Sequence, residues 1–189
     1  MRSSPSHFGL LALLLLWMLT GTTQVAAEFK VKEVRVRDKG DMLVMDAEIG
    51  YGFSEKALQA LENGVPLTVE VHIRLRGKDD WVWDESLVDQ RLRYRIRYKP
   101  LSERYLVSQL PDEGGTSYVT RDAAIAALGE IEGLQLVSRS RLRREDEPLE
   151  IQVKASLDIE ELPLPLRPMA YLFPSWKLSS GWTKWPLEP

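Results

Sequence analysis

Apolar and polar residues alternate over long stretches of the chain, and this period of two constrains its fold more than any other feature. The alternation is nearly unbroken over residues 42–51, 67–76, 91–98 and 151–158. Because successive side chains of a β-strand point to opposite faces of its sheet, each segment is predicted to be a strand with one face in a core and one in water. The sequence therefore predicts a mainly β protein.

A further segment, residues 29–37, also alternates but changes phase in the middle. Phe29 and Val31 are odd-numbered, whereas the next two valines occupy even positions. Such a change of phase is typical of a β-bulge, which we place near Lys32 and Glu33. The first strand is therefore predicted to be bent.

Two segments break the alternation and carry helix signals instead. Residues 54–64 begin with serine, have an acid in the first turn, and end at a glycine that Pro66 follows; residues 120–129 repeat the design from a threonine. Capping residues and terminal glycines at these positions predict two short helices. Segments 51–75 and 118–142 share the order strand, helix, strand, strand, which suggests a weak internal duplication.

Many short strands joined by turns, with only two helices among them, predict an antiparallel β-sandwich or open barrel with two short α-helices. The helices are expected at the ends of the sheets or across one face. A parallel nucleotide-binding sheet is not expected, because the sequence has no glycine-rich strand-to-helix turn and its helices do not alternate with its strands.

The first 27 residues have the three-part composition of a secretory signal peptide. Arg2 provides a positive start, residues 8–19 are apolar, and the small residues Ala26 and Ala27 suit a signal peptidase. The apolar run is shorter than the roughly 20 residues that a membrane-spanning helix needs. We predict cleavage after Ala27 and a periplasmic mature protein, with a retained N-terminal membrane anchor as the alternative.

Residues 28–189 are predicted to form a single β-rich domain, on which a proline- and tryptophan-rich segment, residues 162–189, packs. The whole chain has 25 basic and 28 acidic residues, a formal net charge of -3, and no cysteine. Disulfides, thiolate metal sites and thiol catalysis are therefore excluded, and we expect no cofactor. The export signal and the negative charge also argue against binding to nucleic acid.

Five pieces of sequence carry a resemblance to a known family. They are residues 29–34, 60–67, 157–158, 162–168 and 176–182. The chain resembles a proteobacterial family of exported proteins known only as a domain of unknown function, over nearly the whole mature chain. The resemblance implies an envelope location and a single domain, and members tend to be encoded near a membrane sensor kinase. It implies no catalytic or binding residues.

Residues suited to catalysis or metal binding are scarce. After cleavage His72 is the one remaining histidine, and the alternation places it on the polar face of its strand with Glu70 and Arg74, so we expect a solvated side chain. Acidic residues adjoin one another in predicted loops or at strand ends, beside basic residues, at 79–80, 112–113, 145–147 and 160–161. No catalytic or metal-binding residue is predicted, and a hydrolase is the least favoured function.

Four arginines recur at every second position of one predicted strand: Arg91, Arg93, Arg95 and Arg97. On a strand their guanidinium groups follow one another at intervals of about 6.6 Å along one face. Like charges at this spacing repel each other unless acids or a bound anion compensate them. Either acids of the same chain pair with them, or the strip binds an anionic partner. The candidate acids are Glu70 and Asp84, or Asp46 and Glu48.

The C-terminal segment combines prolines with aromatic residues. Its prolines favour an extended, polyproline-like path over the surface, and the small-residue turn at 179–181 is expected to bring the surrounding tryptophan rings together. The segment either completes the core or presents an exposed aromatic surface to a partner. The tryptophans concerned, including two upstream that share a strand face, are Trp81, Trp83, Trp176, Trp182 and Trp185.

These features predict a non-enzymatic exported module that binds an envelope protein or an anionic envelope component through the arginine strip, the aromatic segment or both. The alternative is a carrier or binder of an apolar, acyl-chain ligand inside a half-open β-fold. The cavity for such a ligand would be lined by Leu43, Met45, Ile49, Val71, Ile73 and Leu157.

Overall fold

The computed structural model describes residues 28–77, 86–112, 114–142 and 148–187. The strands in these ranges are β1 (Phe29–Lys39), β2 (Met42–Tyr51), β3 (Leu67–Gly77), β4 (Val88–Lys99), β5 (Arg104–Gln109), β6 (Thr116–Tyr118), β7 (Glu130–Ser138), β8 (Leu149–Leu157) and β9 (Thr183–Pro186). The α-helices are α1 (Glu55–Glu62), α2 (Arg121–Leu128), α3 (Arg139–Leu142) and α4 (Arg167–Leu172), and short 3-10 helices span Ile159–Glu161 and Pro174–Trp176. The predicted signal peptide, Trp81 and Trp83 lie outside the described residues.

The strands form two antiparallel sheets that share one hydrophobic core. The large sheet has the order β6-β5-β4-β3-β8-β9, and the small sheet has the order β1-β2-β7. Neither sheet closes into a barrel within the described ranges. The predicted mainly β fold with antiparallel sheets is confirmed, and it takes the sandwich form rather than that of a barrel.

The alternation correctly assigned the inner and outer faces of the long strands. The odd-numbered side chains of β3, from Leu67 to Leu75, are all 0% exposed, and they lie beside the equally buried Ile151, Val153 and Ala155 of β8. Burying one such aliphatic side chain contributes about 1.5–3 kcal/mol, so the centre of the large sheet is its most strongly stabilised part.

The first strand has the predicted bulge. Val31 of β1 pairs with Ile49 of β2, and the register shifts before Glu33 pairs with Glu48. The extra residue lets β1 present apolar side chains to the core before and after the shift. After the shift, these are Val34 and Val36, which pack against the core.

The two predicted helices begin and end close to where their caps place them. The Ser54 hydroxyl accepts a hydrogen bond from the Ala57 amide, and the Thr120 hydroxyl accepts one from the Ala123 amide, each at 3.2 Å. The apolar sides of α1 and α2 are buried, and both helices contact β4. They therefore pack against the large sheet at β4, with their buried residues in the shared core.

The two segments proposed to be duplicated cross between the sheets in opposite directions. In the first, the chain passes from β2 of the small sheet through α1 to β3 of the large sheet. In the second, it passes from β6 of the large sheet through α2 to β7 of the small sheet. In the second segment the short helix α3 follows β7, where the predicted order has a strand, so neither the element order nor the sheet arrangement is fully repeated.

The proline-rich part of the C-terminal segment is folded rather than extended, so its predicted polyproline-like path was wrong. Pro168 and Pro174 stand in the first turns of α4 and of the second 3-10 helix, where a proline costs no hydrogen bond. Trp176 and Leu178 join the core, each at 5% exposure. This part of the segment thus contributes side chains to the core.

The last strand, β9, adds an edge to the large sheet by pairing with β8. Trp185 faces inward beside Ile151, whereas Trp182 lies against His72 and Arg74 on the other side of the sheet. The three C-terminal tryptophans therefore occupy separate places, and the expectation that their rings meet was wrong. No helix in the described part of the chain is long and apolar enough to cross a membrane.

The six residues proposed to line an acyl-chain site are all packed in the core. Their exposures lie between 0% and 6%, and they belong to one contiguous cluster with side chains of both sheets and both longer helices. The residues that the carrier alternative would use as its lining are therefore part of the core that both sheets share.

Candidate partner-binding face

The polar side of the large sheet, here called the outer face, brings the arginine strip together with polar side chains of the neighbouring strands. On this face Arg91 lies opposite His72, Arg93 opposite Glu70, and Arg95 opposite Thr68. The other side of β3 is buried, so the register of the sheet holds all of these side chains away from the core.

The outer face is strongly basic although the chain as a whole is acidic. Ten cationic residues lie on it: Arg74, Arg76, Arg91, Arg93, Arg95, Arg97, Lys99, Arg104, Lys154 and Lys184. Four acidic residues lie among them: Glu70, Asp89, Glu150 and Glu161. The described residues of the face therefore carry a net charge of 10 − 4 = +6, against -3 for the whole chain.

Arg93 and Arg95 are paired within the chain, but by an acid that the sequence did not suggest. One carboxylate, that of Glu161, accepts hydrogen bonds from Arg93 at 2.9 Å and from Arg95 at 3.0 Å. Glu161 belongs to the 3-10 helix that follows β8 and folds against β3. Alternation along a strand does not show where a later turn will place an acid, so no signal pointed to Glu161.

The acids that were suggested give a mixed outcome. Glu70 does approach Arg91, at 3.7 Å, as one interpretation required. Asp46 and Glu48 instead pair with cations of β1 in the small sheet, so that assignment was wrong. Asp84 lies outside the described residues.

Arg97 differs from the other three arginines. It forms no ion pair with any described residue, and its Nε–H is buried without a hydrogen-bond partner. Lys99 and Arg104 lie next to it, opposite each other across β4 and β5, and neither has an acidic partner among the described residues. A buried donor without a partner is costly, so Arg97 contributes less to the stability of the fold than Arg93 and Arg95 do.

His72 is not solvated, in contrast to the expectation. Its Nε2 lies 2.8 Å from Asp89, and the ring of Trp182 covers it with centroids 4.9 Å apart, which leaves the residue 7% exposed. Trp182 also stacks on Arg74, whose guanidinium carbon is 4.6 Å from the ring centre. The sequence placed His72 on the correct face, but the cover comes from the distant C-terminal segment.

Two carboxyl groups of the outer face are shifted toward their charged forms. Partial burial raises the pKa of Asp89, but hydrogen bonds and charge from His72 and Arg74 outweigh it and hold that pKa below its ordinary value. Burial likewise raises the pKa of Glu150, and hydrogen bonds from Lys184 and Gln152 reverse the effect. Both carboxyl groups therefore interact with neighbouring groups of the same chain.

The outer surface of the small sheet has the opposite character. A shallow cleft of about 240 Å³ there is lined by Glu33, Arg35, Asp46, Ala47, Glu48, Glu130, Ile131 and Glu132. Hydrogen bonds from Arg37 and from the Gly133 amide lower the pKa of Asp46 to about 2. Within the described ranges, no three His, Cys, Asp or Glu side chains are arranged to hold a metal ion.

Of the sequence-predicted candidates, the fold brings the four arginines and Trp182 onto the outer face, while Trp176 and Trp185 serve packing. The protein is therefore mainly β, with two antiparallel sheets around one core and a basic outer face on the large sheet. The chain belongs to the family described as Domain of unknown function (DUF4390), whose model matches residues 26–186. No curated protein and no solved structure matches it.

Proposed function

We propose that this protein is a non-enzymatic, exported binding module of the cell envelope, and that its outer face binds an anionic partner. The single observation that carries the proposal is the group formed by Arg97, Lys99 and Arg104, which have no acidic partner among the described residues and lie on a face of net positive charge. Recognition would rest on charge and shape, without bond chemistry.

The distribution of charge supports a binding role more than a purely structural one. Arginines kept only for stability are expected to have acids opposite them, as Arg93 and Arg95 have in Glu161. Arg97, Lys99 and Arg104 have none among the described residues. Clustered cations of this kind steer an anionic partner toward the surface and make its association sensitive to salt.

The cellular setting rests on the composition of residues 1–27, which is that of a signal peptide. Export places the partner in the envelope, either as a protein with an acidic surface or as another anionic component. The core gives the acyl-carrier alternative no comparable support, because its proposed lining is packed.

Retention on immobilised heparin, a defined polyanion, tests the charged surface before the natural partner is known. The double variant Arg97→Gln, Arg104→Gln should elute at a lower NaCl concentration than the parent protein, because it loses two unpaired cations. The matched control is Arg35→Gln, Arg37→Gln, which removes the same charge from β1, where both arginines pair with acids of the small sheet.

Elution of both double variants at the same salt concentration would show that net charge, and not the outer face, governs binding. A crosslinked pull-down from envelope extract then identifies the partner, using the Arg97→Gln, Arg104→Gln protein as the negative control. The proposal fails if the same envelope components are captured equally by the parent and by this variant.

A further inference from the structure

The C-terminal segment carries a group of large apolar side chains that the core does not use. We call this group the apolar patch; its members are Leu164, Met169, Tyr171, Leu172 and Phe173, with exposures of 73%, 49%, 48%, 76% and 41%. Ten consecutive residues thus expose five large apolar side chains, whereas single exposed apolar residues are ordinary on a protein surface. A cluster of this kind marks a surface that contacts something apolar.

The geometry of α4 explains why the patch projects outward. Ala170 is the buried contact of this helix, at 0% exposure. Successive residues of an α-helix are about 100° apart around its axis, so Leu172 lies almost opposite Ala170. Met169 and Tyr171 lie on either side of Leu172. Ala170 and Trp176 pack in the core and hold the segment there, so the side chains of the patch project away from the core.

The segment that carries the patch contains basic residues and no acid. From Leu162 to Leu187 the sequence has no aspartate or glutamate, and its basic residues are Arg167, Lys177 and Lys184. From α1, the Lys56 ammonium lies 4.8 Å from the centre of the Phe173 ring. Exposed apolar and aromatic side chains with a lysine against them match the chemistry of a lipid surface, where aromatic rings lie at headgroup depth and cations meet anionic headgroups.

The patch also lies on the side of the domain at which residues 1–27 are attached. The Glu28 carbonyl accepts a hydrogen bond from the Gly52 amide at 3.0 Å, and the ring of Phe29 lies 5.1 Å from that of Phe53. The next residue, Ser54, caps α1, and Lys56 in the first turn of α1 contacts the patch at Phe173. Residue 28 and the patch are thus joined by a short series of direct contacts.

This position constrains where a membrane would be. The apolar run of residues 8–19 is separated from Glu28 by residues 20–27. Those eight residues span at most about 29 Å even when fully extended. While the run is in a bilayer, the side of the domain that carries the patch is therefore kept close to the lipid surface.

We infer that the apolar patch seats on the surface of a lipid bilayer, with Leu172 and its neighbours entering the interface and Lys56, Arg167 and Lys177 facing the headgroups. The inference is independent of the proposed anionic partner of the outer face. It also holds for the chain that starts at Glu28, because the contact is made by the domain itself.

Co-sedimentation with vesicles tests this, using the chain from Glu28 onward, which keeps every strand, helix and core contact described above. The vesicles contain phosphatidylcholine with phosphatidylglycerol, or phosphatidylcholine alone. The variant Met169→Ser, Leu172→Ser should bind at least about tenfold more weakly, because each large apolar side chain that leaves water contributes roughly that factor. The matched control is Leu101→Ser, Val119→Ser, which removes two exposed apolar side chains outside the patch and should bind like the parent.

A second pair of variants separates the lipid contact from the anion-binding face. Lys56→Gln, Lys177→Gln should weaken binding to the anionic vesicles and leave binding to phosphatidylcholine unchanged. Arg97→Gln, Arg104→Gln should leave binding to phosphatidylcholine vesicles unchanged, whereas Met169→Ser, Leu172→Ser should weaken it, so the two proposals fail separately. Circular dichroism melting of each variant confirms that it is folded.

Three outcomes would overturn the inference. The first is a parent protein that stays in the supernatant with both kinds of vesicle, and the second is equal binding by the patch variant and its control. The third is a parent protein that is a dimer and a patch variant that is a monomer, neither of which binds lipid. The last outcome, read by sedimentation velocity, would assign the patch to a second copy of the chain.

Discussion

Arg95 and Arg97 stand two residues apart on the same face of β4, and what surrounds them decides what each can do. Arg95 shares Glu161 with Arg93 and also donates to the Thr68 hydroxyl at 3.3 Å. Arg97 has no such partner among the described residues. The first arginine therefore contributes to the stability of the fold, and the second is the one to which we assign the proposed recognition.

This contrast predicts different effects of the same substitution. Arg95→Gln should lower the free energy of unfolding by about 1 kcal/mol, because a partly buried ion pair and a hydrogen bond are lost. Arg97→Gln should leave it unchanged or slightly higher, because a buried donor without a partner is removed. Urea denaturation of both variants measures the difference, and equal destabilisation would contradict the assignment.

Glu150 predicts a dependence of stability on pH. Its pKa is lower in the folded protein than in the unfolded chain, so the folded state binds fewer protons. The free energy of unfolding should therefore fall as the pH drops below the ordinary glutamate pKa of about 4.3 and continue to fall until the folded pKa is passed. Asp89 and Asp46 act in the same direction, the latter down to about pH 2.

Glu150→Gln should reduce this acid sensitivity, because the glutamine does not titrate. Urea midpoints measured at a series of pH values between about 6 and 3 test this for the parent and the variant. If both lose the same stability over that range, Glu150 is not one of the groups responsible.

At the scale of elements, the C-terminal segment serves both packing and exposure. Trp176 enters the core from the second 3-10 helix, whereas Trp182 remains 39% exposed and stacks on Arg74. Between them, Ser179 bridges to Ser156 of β8, and Gly181 turns the chain with φ of 66°. The left-handed backbone at Gly181 suits glycine, and it sends the two rings to different sides of the sheet.

Trp176→Ala should therefore cost about 3–5 kcal/mol of unfolding free energy, the range for removing a buried tryptophan side chain. Trp182→Ala should cost only about 0.5–1 kcal/mol, since it loses an exposed cation–π contact. Urea denaturation of the two variants tests the ranking. A loss at Trp182 as large as that at Trp176 would show that its contact with His72 is a major packing interaction.

Sequence patterns identified elements with strong local periodicity and missed those fixed by distant contacts. The strands around β3 were predictable because the strict alternation of residues 67–76 leaves one arrangement that buries the apolar set. Pro168 of α4 and Pro174 of the second 3-10 helix were misread, because a proline that breaks a helix interior also suits a helix start. The cover of His72 and the pairing of Arg95 depend on residues 66 or more positions away, for which periodicity gives no signal.

At the scale of the whole molecule, export remains a prediction from residues 1–27. Protein recovered from the envelope fraction should begin at Glu28, one residue before β1 starts. Intact-mass measurement tests this, and a mass that retains residues 1–27 would favour the anchored form. The absence of cysteine means that neither form gains stability from an oxidising compartment.

The placement of β3 has a consequence for how the chain acquires its fold. This central strand pairs on one side with β8, where Val71 meets Ala155, 84 positions further along the chain. Closing so long a loop costs entropy before any contact repays it, and folds dominated by such pairings form slowly. A nascent chain that stops before residue 149 lacks half of the support for its most apolar strand, so it stays open to chaperones and proteases until the last quarter of the protein has been synthesised.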